Sequence, residues 1–301
     1  MKRLFIVNLL SERVAKKGSS LVPLADETQT PCFVLDPFDA LPERVSQAAK
    51  DNIEHIVIEG GDGTVQGVLS AFLVQADQFE TFPAFSIVPG GMTNQVAKNI
   101  GLKGNSIGAI KSALNSKLTP HKIPLLSLTD SDTSQTHSGF LFSTGVIPQI
   151  TRYTKSQLHR KGIGGSMAVV GGILKGIRGD DKTLMQTTDV EIEGLHTGQH
   201  LGSIVTTLPS LMMGLDPFWG KGAAPLRITW VEENYRRLGR SILALWAGSK
   251  SKDRSANGLH SKRVESLTYA YQGDIVLDGE FLSIPSGKFT VRPTRPVTFL
   301  K

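Results

Sequence analysis

Over its first 120 residues the chain repeats one pattern: a short apolar run, a turn, then a stretch with helical periodicity. The apolar runs lie at residues 4–7, 32–35, 56–58 and 85–88, and helices are expected at 41–50, 65–74, 94–100 and 106–115, with Gly101 as a helix C-cap. Few folds accept this alternation, because a strand parallel to its predecessor must be reached by a crossover, usually a helix. A parallel α/β sheet is predicted. After Pro120 the rhythm changes to short strand-like stretches at 139–142, 190–192, 203–208, 227–231, 267–271 and 275–277, which predicts a mostly antiparallel second domain.

With 301 residues, 40% hydrophobic and 20% charged, the chain is long and apolar enough to fold around a large core or two, which excludes general disorder. Its single cysteine, Cys32, excludes an internal disulfide and reads as part of a buried strand. The apolar start at residues 4–7 is interrupted by Asn8, so a first buried strand fits better than a secretion signal. No stretch approaches the roughly 20 apolar residues that span a bilayer, so any membrane contact is expected to be peripheral, in a cytoplasmic setting. The net charge of +6 is uneven: residues 1–120 hold 11 Lys and Arg against 12 Asp and Glu, and residues 121–301 hold 22 against 15. Nucleic acid, an anionic membrane surface and plain solubility all remain open as reasons for the basic half. Two segments, 152–178 and 235–263, set apolar helical stretches between Lys and Arg, as interfacial helices do. A sheet-packing helix with a solvated basic face has the same pattern.

Between the apolar run at 56–58 and the next helix stands Glu59-Gly60-Gly61-Asp62-Gly63-Thr64. Glycines let backbone N–H groups approach an anion, and the helix that follows offers its first-turn donors and positive dipole end. Asp62 is at odds with a phosphate unless it carries a metal ion, accepts a proton, or turns away to cap a helix. A second such turn, Pro89-Gly90-Gly91-Met92-Thr93-Asn94, follows the run at 85–88, so both turns belong to one edge of the predicted sheet, where open α/β sheets bind ligands. A third element, Asp278-Gly279-Glu280, follows the strand-like 275–277, and Asp-Gly between strands is commonly a tight hairpin.

Taken in order, these three motifs resemble the diacylglycerol kinase catalytic family, which includes bacterial lipid kinases and sphingosine kinases. The resemblance extends over nearly the whole chain, through Asn8 at the end of the first strand, the glycine-punctuated residues 161–175, and a closing strand ending near Pro293. It implies an α/β plus β fold: a nucleotide-binding α/β domain at 1–120 and a β-sandwich lipid-acceptor domain at 121–301, with the segment from about 289 to 301 able to pack back on the first domain. It also implies an ATP- and Mg²⁺-dependent lipid kinase that transfers the γ-phosphoryl group to a hydroxyl of a diacylglycerol-like or sphingoid lipid. Gly60, Gly61, Gly63 and Thr64 would cradle the phosphates and Asp62 would face the metal. Asn8, Gly91, Thr93 and Asn94 would line the nucleotide, Asp278 would accept the proton of the acceptor hydroxyl, and Glu280 would support the site. The implied partners are a lipid substrate, an anionic membrane surface met peripherally, and a second copy of the chain as an open option.

The chain also departs from the family pattern. Leu9-Leu10 follows Asn8 where relatives carry proline, Met92 and Gln95 stand where a hydroxyl and a carboxylate are usual, and Pro124 occupies a position that is often Asp. These departures keep a second reading open: a nucleotide-binding, catalytically impaired member with a regulatory role. NAD kinases share the Gly-Gly-Asp-Gly-Thr turn, but their further nucleotide motifs are not apparent after Pro89. Nucleic-acid binding is not expected, since the basic stretches lack interleaved aromatic platforms and no zinc-ligand pattern is present.

Overall fold

The computed structural model describes every residue except 37–39, 92–93, 158–184, 212–215 and 242–253. The chain forms two compact units, Met1–Ile123 with Pro296–Lys301, and Pro124–Arg295. Residues 158–178 and 242–253 of the two basic apolar segments, and Thr93, lie outside the described residues.

The first unit is built on a six-stranded sheet. Strands β1 (Arg3–Val7), β2 (Cys32–Val34), β3 (His55–Gly60) and β4 (Ala84–Pro89) run parallel in the order β2-β1-β3-β4. All six residues of β3 are buried, as befits a central strand covered on both faces. The helices are α1 (Glu12–Lys17), α2 (Leu21–Thr28), α3 (Leu41–Lys50), α4 (Asp62–Val74), α5 (Gln95–Ile100) and α6 (Ile107–Asn115). Ser106 caps α6 by accepting the N–H of Ala109, and Gly101 ends α5. One face of the sheet, through Phe5, Val7, Val57 and Val88, packs on Leu21 and Leu24 of α2 and Ile110 and Leu114 of α6.

On the other side of β4 the sheet is completed by two strands distant in sequence. Strand β5 (Pro120–Ile123) pairs antiparallel with β17 (Val297–Leu300), which pairs parallel with β4. A polar chain crosses the sheet to hold β17. Arg3 Nε donates to His55 Nδ1 (3.3 Å), so Nε2 carries the imidazole proton and donates to Ser86 Oγ (2.9 Å). The Ser86 hydroxyl in turn donates to the Leu300 carbonyl (2.8 Å).

Two local expectations fail. Cys32 is exposed, because β2 is a three-residue edge strand. The stretch 139–142 is not one strand; it is the corner between β7 (Thr136–Gly139) and β8 (Leu141–Thr144).

In the second unit every pairing is antiparallel. The remaining elements are β6 (Leu126–Asp130), α7 (Val146–Gln157), β9 (Thr188–Ile192), β10 (His196–Thr206), β11 (Leu226–Glu232), β12 (Leu259–Val264), β13 (Leu267–Ala270), β14 (Ile275–Leu277), β15 (Glu280–Leu282) and β16 (Lys288–Pro293). The sheet order is β15-β14-β8-β10-β9-β13-β16-β6-β7, with β11 and β12 added on β10. Its core joins Leu128, Phe142, Ile192, Ile228, Trp230 and Phe289 around Tyr269. Through that core runs a satisfied polar chain. Tyr269 OH donates to Ser203 Oγ (3.0 Å), Ser203 Oγ to Thr144 Oγ1 (2.8 Å), and Thr144 Oγ1 to His200 Nε2 (2.9 Å), while His200 Nδ1 donates to the Thr188 carbonyl (2.9 Å).

Candidate active site

In the order β2-β1-β3-β4 the connections leave β1 and β3 in opposite directions, so the crevice beyond their carboxyl ends is where a ligand finds room. Asn8 follows β1 and lies against the end of β3, its N–H on the Glu59 carbonyl (3.0 Å). Its side chain donates to Thr64 Oγ1 (2.9 Å) and accepts from the Leu10 N–H (2.9 Å), which folds residues 8–10 into an Asx turn. Ser11 completes the link: its Oγ accepts the Gly61 N–H (3.2 Å) and lies 3.3 Å from Thr64 Oγ1. The loop after β1 and the turn after β3 are therefore one hydrogen-bonded assembly.

The glycines of the two turns are not equivalent. A Cβ on Gly90 would lie 2.8 Å from the Gly60 backbone, and one on Gly91 2.6 Å from Gly61 Cα. A Cβ on Gly60 would collide with the Thr64 side chain. Backbone cannot move aside, so Gly90 and Gly91 exist to let the β3–α4 and β4–α5 turns touch, and Gly60 makes room for Thr64. Gly63 differs. Nothing lies within 4 Å of its absent Cβ, and it is exposed in the first turn of the thirteen-residue α4. Packing does not demand a glycine there. The N-cap, Gly61, supplies no side-chain oxygen to the helix start. An open, uncapped helix start of this kind suits an anion.

Asp62 turns toward the neighbouring helix: its Oδ1 accepts the Val96 N–H (2.9 Å) in the first turn of α5. Asn94, the N-cap of α5, has a left-handed backbone (φ 49°), which Asn tolerates, and its side chain closes back on the Gly91 N–H (2.9 Å) and carbonyl (2.6 Å). Of the residues assigned from the sequence to the nucleotide, Asn8, Gly60, Gly61, Asp62, Gly63, Thr64, Gly91 and Asn94 thus gather at one sheet edge.

Three supporting residues at that edge escaped the sequence reading: Ser11, Arg13 and Glu59. Glu59 is fully buried at the end of β3, where its carboxylate takes the N–H groups of Ser20 (3.0 Å) and Leu21 (3.1 Å) and the Ser19 hydroxyl, capping α2 from across the turn. Arg13 lies 3.7 Å from Glu59 and donates to the carbonyls of Pro89 (3.0 Å) and Asn105 (3.0 Å), joining three loops. A carboxylate directly after the apolar run at 56–58 was the available signal for Glu59.

Asp278 and Glu280 belong to the second unit. Asp278 and Gly279 form the two-residue turn between β14 and β15, both at positive φ (51° and 92°), with Leu277 opposite Glu280. The Asp278 carboxylate receives the N–H groups of Phe140 (2.9 Å) and Leu141 (2.8 Å), and its own N–H goes to the Leu141 carbonyl (2.8 Å). Asp278 thereby shapes the β7–β8 corner. Glu280 is exposed. Among the described residues no group of three or more His, Cys, Asp or Glu could hold a metal ion, and no helix is long and apolar enough to cross a membrane.

The sequence profile of the diacylglycerol kinase catalytic domain matches residues 2–124. A probable lipid kinase, YegS-like, from Stenotrophomonas maltophilia (strain K279a) is 32% identical over 131 residues, 44% of this chain and 41% of the relative. A protein of the same description from Chromohalobacter salexigens is 30% identical over 125 residues, 42% of this chain and 37% of the relative. The similarity thus spans about two fifths of the length of these curated relatives. In fold the likeness is wider: a crystal structure of a diacylglycerol kinase from Bacillus anthracis str. Sterne superposes with a TM-score of 0.61 at 15% identity, covering 99% of this chain and 95% of that one.

Proposed function

We propose, from the premise that residues 2–124 belong to the diacylglycerol kinase catalytic family, that this chain is a lipid kinase which transfers the γ-phosphoryl group of ATP to a lipid hydroxyl. The observation that carries the reading is the open start of α4 at Gly63, beside a turn tied to Asn8, Ser11 and Thr64 at the β1/β3 switch point. The N–H groups there hold the phosphates, while Asn8, Thr93 and Asn94 line the nucleotide. Magnesium bound mainly through substrate phosphates needs only one or two protein carboxylates, which Asp62 satisfies. That ion would offset phosphate charge during transfer. The role of Asp278 is to accept the proton of the acceptor hydroxyl, supported by Glu280. The acceptor is diacylglycerol-like or sphingoid. The protein works from the cytoplasmic side, held peripherally at anionic lipid by its basic second half, each Lys or Arg near the surface contributing about 1 kcal/mol.

The test is incubation of purified protein with labelled Mg-ATP and a total lipid extract, comparing wild type with Asp62→Asn and Asp278→Asn. Wild type labels a lipid, and each variant loses activity by about 100-fold or more. If a carboxamide variant labels as well as wild type, its assigned role is wrong.

A second reading is favoured by what the two carboxylates do: Asp62 Oδ1 caps α5 and Asp278 holds two backbone N–H groups, both structural tasks. On that reading the chain binds Mg-ATP without turnover. Thermal stabilisation by Mg-ATP, about 2.7 kcal/mol at a hundredfold excess over Kd, with no label reaching lipid, would decide for it.

A further inference from the structure

Strand β7 ends at Gly139, and the chain turns through Phe140 into β8. The φ of Gly139 lies outside the left-handed region, so conformation does not call for glycine there. Space does. A Cβ on Gly139 would lie 2.6 Å from Asp278 Oδ2 and 2.6 Å from Leu277 Cδ1, closer than side chains pack. The glycine backbone has no room to retreat, because it is buried and pairs with Leu126 of β6. The corner beside it is equally fixed: the carbonyl of the buried Phe140 accepts the Thr206 hydroxyl (2.7 Å), and the Leu141 carbonyl accepts the Asp278 N–H (2.8 Å). What can move is the Asp278 carboxylate, whose hold on the N–H groups of Phe140 (2.9 Å) and Leu141 (2.8 Å) depends on the empty space over Gly139.

We propose that Gly139 is a positioning residue: its missing side chain leaves the slot in which the β7–β8 corner holds the Asp278 carboxylate in one place and orientation. The grip uses both oxygens, Oδ2 on the Phe140 N–H and Oδ1 on the Leu141 N–H. A carboxylate held by rigid backbone keeps its place before any substrate arrives. A proton acceptor needs that, since a misplacement of about 1 Å costs about 100-fold in rate. A methyl group on residue 139 would force the carboxylate to shift by about that distance to reach ordinary contact. The catalytic consequence rests on the proton-accepting role proposed for Asp278. The placement of the carboxylate does not, because every residue involved belongs to the second unit.

The experiment compares wild type with Gly139→Ala, Asp278→Gly, the double variant, and Gly287→Ala as a control that loses stability in the same unit through a clash with Gln272. By NMR, Gly139→Ala speeds hydrogen exchange of the Phe140 and Leu141 amides about tenfold or more, as Asp278→Gly does and Gly287→Ala does not. In urea the first two substitutions couple: Gly139→Ala lowers the folding equilibrium constant about tenfold more in wild type than in Asp278→Gly, where no carboxylate meets the new methyl group. With labelled Mg-ATP and a lipid extract, Gly139→Ala lowers the saturating rate about 100-fold and changes the KM for Mg-ATP by less than about twofold, whereas Gly287→Ala keeps the wild-type rate. The proposal is overturned if the two amides stay protected in Gly139→Ala, if the substitutions are additive, which would leave Leu277 as the sole obstacle, or if Gly139→Ala labels lipid like wild type. A wild type that labels no lipid sinks the kinase reading alone, and the amide and urea measurements then decide the proposal.

Discussion

At the scale of single residues the two glycine-rich turns separate into positions that serve the fold and one that does not. Gly91 faces the Gly61 backbone at a distance no side chain tolerates, so Gly91→Ala is expected to destabilise the protein by about 1 to 3 kcal/mol, read as a lower melting temperature. Gly63→Ala should move stability the other way, by up to about 1 kcal/mol, because alanine is the better helix former and nothing obstructs its methyl group. If a phosphate sits over that helix start, the same substitution weakens Mg-ATP binding at least tenfold. A Gly63→Ala protein that is both stable and unimpaired in binding would remove the nucleotide from this turn. From sequence the motif was legible as a turn, but the two classes of glycine look alike there. Only the approach of the neighbouring turn, thirty residues away, tells them apart.

Among the elements, α2 depends on a residue outside itself. Its N-cap, Ser20, makes no side-chain capping bond; the buried Glu59 takes the N–H groups of Ser20 and Leu21, and the Ser19 hydroxyl, itself held by Glu59, accepts from Leu21 and Val22 (both 3.1 Å). Glu59→Ala would leave the Ser20 N–H without its acceptor, the Leu21 N–H with Ser19 Oγ alone, and Arg13 without its counter-charge. The expected cost is about 3 to 5 kcal/mol in urea or thermal unfolding. Loss below 1 kcal/mol would mean that water replaces the carboxylate. Element types were readable from periodicity: α3 spans the expected residues, and α5 and α6 begin within one residue of expectation, at a residue beside Asn94 and Ser106. The short helices before residue 30 were not identified, since α1 has six residues and α2, of eight, is capped in part from β3. Local pattern carries no trace of a cap supplied from another strand.

Over the whole molecule, acid should act first on buried histidines. Burial, with help from the positive charges of Arg3 and the N-terminus, pushes the His55 imidazole down to about 4, and burial also lowers His200. An unfolded histidine titrates near 6.5, so between that pH and about 4 the unfolded chain gains a proton that folded His55 refuses. Its contribution is complete above 6.5 and falls by about 3 kcal/mol on the way to pH 4. Asp130 has the opposite chemistry but the same direction. The Thr133 N–H, with Asp132 and Ser286, lowers its carboxyl to about 2, so its contribution holds above about 3.9 and fades only toward pH 2. Urea midpoints measured from pH 8 to 4 should therefore decline below 6.5, with His55 still neutral by NMR in the folded protein. A flat profile would mean that water reaches the imidazole.

The sequence by itself determined the alternation of strands and helices from residue 32 to 115, the change from parallel to antiparallel architecture near residue 120, and the places where glycine and acidic residues gather in turns. These properties are local, set by side-chain period and by which residues tolerate a given φ. Tertiary structure alone decided that Ser86 holds a strand 214 residues away, that Asp62 and Asp278 give their oxygens to backbone N–H groups, and that Arg152 pairs with Asp274, 122 residues away. Each of these depends on which polar group finds which partner once the chain has closed, and that competition leaves no mark on the spacing of residues along the chain.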